Sequence, residues 1–83
     1  MLSEIYYQEF DGKTYVQTHG NAFDRGTADS YYHRGRDPHK GGVGGNSGPR
    51  VNKDQLTATE IEEYNAGYDY NEYNGDKKDY GSF

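Results

Sequence analysis

The chain has 83 residues, an apolar fraction of 30% against the roughly 45–50% usual in globular proteins, and a formal net charge of −5. That size allows one small domain, and its thin core excludes a large enclosed active site. The absence of cysteine excludes disulfide scaffolds, thiolate metal sites and cysteine nucleophiles. With no apolar run long enough for a signal peptide or a membrane span, a cytoplasmic protein without membrane contact is expected.

In chain order, residues 4–18 read as a β-hairpin. Asp11-Gly12 tolerates the positive φ angles of a type I′ turn, and both flanks are rich in strand formers. A two-residue turn pairs Phe10 with Lys13, Tyr7 with Val16 and Ile5 with Thr18. It places Ile5, Tyr7 and Val16 on one face and Tyr6, Phe10 and Tyr15 on the other. A lone hairpin is marginal in water, so one face should rest on helices.

Asn21 is placed to cap a first helix over 22–34, with Asp24 in its first turn. The stretch 36–53 cannot continue that helix, and its glycines between 41 and 48 read as a flexible loop. A second helix over 57–74 carries the strongest local signature: Thr57 and Glu60 form a capping box, and Leu56 and Ile61 are placed for a hydrophobic staple. Ile61, Tyr64 and Tyr68 form one stripe, and Ala66, Tyr70 and Tyr73 a second. Asn74-Gly75 ends the helix, and 76–83 is a polar tail with Tyr80 and Phe83 as anchors. Gly26 and Gly67 each follow an aromatic residue (Phe23, Tyr64) by three positions. Interior glycine costs about 1 kcal/mol against alanine, so a close helix–helix crossing is expected there to offset it. The predicted architecture is a small α+β domain.

Most catalytic and cofactor chemistry fails on spacing. Gly42-Val43-Gly44 followed by Ser47 lacks the last glycine of a dinucleotide fingerprint, and no phosphate-binding lysine loop exists. His19, His33 and His39 with Asp37 match no metal-ligand spacing. Residues 69–75 resemble a calcium loop, but the glycine falls one place late and the final glutamate is missing. No serine stands in a nucleophile turn, and the acids lie where solvation keeps them ordinary. A non-enzyme without metal or cofactor is expected.

Charge is distributed unevenly. Residues 1–24 carry −3, residues 25–53 carry +4, and residues 54–83 carry −6. Two interaction surfaces follow. Arg34, Arg36, His39 and Lys40 after Tyr31-Tyr32 suit phosphate contact with base stacking. Glu62, Glu63, Asp69 and Glu72, interleaved with Tyr70 and Tyr73, form an acidic tyrosine-rich face suited to a basic protein partner, with tyrosine supplying contact area. Self-association is compatible with either.

The segments Phe23–Tyr32, Asp37–Lys40, Glu63–Asp69 and Gly75–Tyr80 resemble small proteins of tailed bacteriophages over residues 22–81. That resemblance implies a phage origin and an accessory role that interferes with a host protein or complex, as an inhibitor or counter-defence factor. Ala22-x-x-Arg25-Gly26 and Ala66-Gly67-Tyr68 are more faintly similar to the helix–loop–helix pattern of ribosome modulation factor, with Tyr68 where a tryptophan is usual. The alternative it implies is a ribosome-associated module contacting RNA.

Overall fold

A computed structural model describes residues 7–43, 48–75 and 77–78. The chain opens with strands β1 (Tyr7–Phe10) and β2 (Lys13–Val16), paired antiparallel with Tyr7 opposite Val16 and Phe10 opposite Lys13. Asp11 (φ 52°) and Gly12 (φ 79°) both occupy the left-handed region, as a type I′ turn demands. This is the expected register; Ile5 and Tyr6 lie outside the described residues. Alternation turns Phe10 and Tyr15 inward and leaves Tyr7 and Val16 exposed.

Helix α1 (Ala22–Tyr31) starts where Asn21 Oδ1 accepts from Asp24 N–H at 2.9 Å. It stops three residues short of the expected end at 34. His33 takes φ 60°, its N–H meets Ser30 C=O at 3.1 Å, and Arg34 N–H reaches back to Asp29 C=O at 2.8 Å. This is a Schellman closure with histidine in the place glycine usually fills.

The expected flexible loop has structured ends. Strands β3 (His39–Lys40) and β4 (Val51–Asn52) pair antiparallel, and Gly41 N–H donates to Gly20 C=O at 2.7 Å, anchoring the ribbon to the start of α1. A 3-10 turn (Lys53–Gln55) leads into α2 (Ala58–Asn74). There the capping box closes in both directions: Glu60 N–H to Thr57 Oγ1 at 3.1 Å, and Thr57 N–H to Glu60 Oε1 at 2.9 Å. Gly75 ends α2 in the left-handed conformation. Tyr80 and Phe83 lie outside the described residues. Of the tail, Lys78 N–H bonds Tyr31 C=O at 2.7 Å.

The helices cross at the two predicted glycines. A Cβ on Gly26 would stand 2.1 Å from the Tyr64 carbonyl oxygen, and a Cβ on Gly67 would stand 2.1 Å from that of Phe23. Each glycine therefore meets the aromatic residue three places before the other glycine. Phe23 and Tyr64 fill the flanks of the crossing and are wholly buried. Tyr15 stacks on Phe23 at 5.1 Å, and Phe10 meets Tyr70 edge-on at 5.7 Å, so the hairpin's inner face roofs this core. The result is a single α+β domain. Among the described residues no helix is long and apolar enough to cross a membrane.

Candidate functional site

The basic residues singled out from sequence are bound within the fold. Arg34 lies 3.3 Å from Asp29 and stacks on the Tyr32 ring. Arg36 bonds Asp69 at 2.6 Å and Asn65 Oδ1 at 3.1 Å while stacking on Tyr68 at 4.3 Å. Lys40 pairs with Glu60, and Arg50 bonds Asp37 at 2.8 Å. Tyr31 is half-buried and packs edge-on against the exposed Tyr32.

His39 corrects the expectation of a nucleic-acid contact, because it is only 4% exposed. Its Nδ1 faces Asp37 C=O at 2.7 Å and lies 3.6 Å from Asp29 Oδ2. The same Asp29 carboxylate accepts from Tyr64 Oη, which in turn accepts from Asp37 N–H at 2.9 Å. Burial, followed by the hydrogen bond to Asp29, pushes the Tyr64 phenol far above its ordinary value. This network fastens the β3 ribbon to the helix crossing.

The six residues of the expected acidic face do not share one surface. Tyr70 is half-buried, its ring packed against those of Phe10 and Phe23. Glu72 is drawn toward α1: Lys77 pairs with it and Ser30 Oγ donates to it at 2.6 Å, and Lys77 first, then Ser30, holds its carboxyl below the usual range. Asn71 Nδ2 and Lys77 Nζ complete the cluster around the buried Ser30. Glu63 is half-buried and makes no ion pair among the described residues, and burial, then Glu60 and Glu62, pushes its carboxyl up. Tyr73 projects into solvent, 83% exposed.

The remaining acids meet the hairpin. Asp11, Glu62 and Asp69 line one groove of about 190 Å³ between the hairpin and α2, floored by Phe10, Tyr15 and Ala66. The sequence pattern marks Asp11 only as a turn residue and Tyr15 only as a strand residue. Their place in the groove depends on how the hairpin lies across α2. Lys13 reaches Glu62 at 2.5 Å and Arg36 covers Asp69, both in solvent-exposed pairs. Such pairs are worth about 0–1 kcal/mol and exchange readily for an incoming cation. The groove is therefore chemically suited to lysine or arginine side chains whose stems lie on aromatic rings. Among the described residues no group of three His, Asp or Glu side chains converges on a metal position, and the three histidines stand apart.

No family model, no curated protein and no solved structure matches this chain.

Proposed function

We propose that this chain is a bacteriophage-encoded, non-enzymatic binder of a basic host protein or assembly, working in the host cytoplasm as an inhibitor or counter-defence factor. Its contact surface is the acidic, aromatic groove where the hairpin crosses α2. One observation carries the reading: Asp11, Glu62 and Asp69 line the same groove as the Phe10 and Tyr15 rings. Carboxylates there steer a basic partner, and the rings supply rigid contact area. The phage origin rests on the sequence resemblance alone.

The ribosome-associated alternative has one observation in its favour, the stacking of Arg34 on Tyr32 and of Arg36 on Tyr68. To grip phosphates, those guanidiniums must first leave Asp29 and Asp69.

A tagged full-length chain, used as bait in bacterial lysate, tests the proposal. The expected catch is one dominant basic protein that is released by salt and lost with the variant Asp11→Asn/Glu62→Gln/Asp69→Asn. Recovery of ribosomal proteins with rRNA, lost instead with Arg34→Gln/Arg36→Gln/Lys40→Gln, overturns it in favour of the alternative. Circular dichroism of each variant confirms that it is folded.

A further inference from the structure

Among the described residues the hairpin is a two-stranded sheet, and neither β1 nor β2 has a neighbouring strand on its outer side. The two-residue turn makes Phe10/Lys13 and Gln8/Tyr15 the hydrogen-bonded pairs, and Tyr7/Val16 and Glu9/Thr14 the pairs whose backbone groups point outward. The side-chain contacts agree with this assignment: the two strand carbonyls that accept amide side chains are Glu9, from Gln8 Nε2 at 2.9 Å, and Val16, from Asn21 Nδ2 at 2.5 Å.

The two edges differ. On β2 the Val16 carbonyl is held by the cap residue of α1, and the chain turns away there. On β1, among the described residues, the only such contact is a local one from the neighbouring Gln8. Natural edge strands are blunted by shortness, by charged side chains, by proline or by a bulge; β1 is four residues long and carries Glu9, and its paired register contains no proline, lysine or bulge. Beside this edge Tyr7 is 64% exposed, and the charged groups of the strand and turn are Glu9 and Asp11; the hairpin's single cation, Lys13, is engaged by Glu62 in a solvent-exposed pair.

We infer that β1 receives an extended, lysine- or arginine-bearing segment of the partner protein as a third strand, pairing with the outward backbone groups of Tyr7 and Glu9. The inference rests on the basic-partner reading above and specifies how that partner is held. Main-chain hydrogen bonds to the edge supply affinity, and alternating side chains over Tyr7 and Glu9 supply selectivity. Charge complementarity selects the occupant. A second copy of this chain would bring its own Glu9 and Asp11 to the same edge.

The test uses a short fluorescent peptide alternating lysine with valine and threonine, titrated against the full chain by anisotropy. Two companions accompany it: the same peptide N-methylated along one edge, and a glutamate-for-lysine version. The lysine peptide should bind saturably, and N-methylation should weaken it about tenfold through lost backbone hydrogen bonds. Glu9→Pro, which removes an outward N–H without touching the bonds to β2, should weaken binding more than Glu9→Gln, which removes the charge alone. If the N-methylated peptide binds as tightly as its parent, strand addition is overturned while the basic-partner reading stands. If the glutamate peptide binds as well as the lysine peptide, the basic-partner reading falls and takes the proposed occupant with it. Absence of saturable binding by the lysine peptide also overturns the inference.

Discussion

Replacing Gly67 with alanine adds one methyl group at the tightest point of the fold. It would stand 2.1 Å from the Phe23 carbonyl oxygen, over an ångström inside the 3.4 Å at which ordinary contact begins. The obstacle is backbone, so no side chain can rotate aside, and the helices must separate. Overpacking of this kind costs about 1–3 kcal/mol, and a rigid obstacle places this site at the upper end. Alanine returns about 1 kcal/mol of helix propensity. The net expectation is a loss of about 2 kcal/mol, or roughly 8–16 °C in melting temperature for a domain of this size. Thermal unfolding followed at 222 nm reads this directly. Gly26→Ala meets the Tyr64 carbonyl at the same distance. A single widening of the crossing relieves both clashes, so the double variant should lose less than the two single losses added together. An unchanged or higher melting temperature in Gly67→Ala would refute the close crossing.

Thr57→Ala removes one side of the capping box and should cost about 0.5–2 kcal/mol by urea unfolding. Tyr64→Phe strips a hydrogen bond from the buried Asp29 carboxylate and an acceptor from Asp37 N–H, for a loss of about 1–3 kcal/mol; a midpoint within error of the wild type would contradict the network. Arg25 is buried, its Nε has no partner among the described residues, and its guanidinium lies 3.5 Å from the Asp24 carboxylate. Arg25→Met leaves that part-buried carboxylate without its cation and should lower the melting temperature, and an unchanged value would contradict a contribution from the pair. Glu60 and Glu72 have lowered folded-state pKa values, caused first by Lys40 and Lys77 respectively. Their contribution is complete above the ordinary carboxylate range and lost as pH falls through the lowered values, so Lys40→Met/Lys77→Met should flatten the acid limb of a stability–pH profile.

Where structure follows from neighbours in sequence, it was legible. The Asp11-Gly12 turn, the Asn21 cap and the Thr57–Glu60 box each act within a few residues, and each formed in the predicted place. The crossing was legible for another reason: an interior glycine in a helix carries a cost that close packing can offset. The end of α1 was not legible, because His33 adopts a conformation that sequence patterns assign to glycine. Nor was the β3–β4 ribbon, whose two-residue strands have no periodicity and pair across a glycine-rich excursion. The basic and acidic sets were read as separate surfaces because sequence lists charges by segment. In the fold Arg36 meets Asp69, joining the two sets, and Lys40 is neutralised by Glu60 of the capping box. His39 was grouped by sequence with the basic residues suited to phosphate contact, and only the long-range meeting of Asp29 with Tyr64 gives it a buried place.

The crossing joins positions half a chain length apart, which makes the order of folding events matter. Helix α1, at ten residues, is too short to persist alone in water, so it gains stability only when α2 arrives. The chain between them must close first, and the entropy of closure grows with the length left free. Pairing of His39 with Asn52, if it precedes the meeting of the helices, shortens that free length. Weakening that pairing should then retard refolding more than it accelerates unfolding, the signature of a contact already made in the transition state.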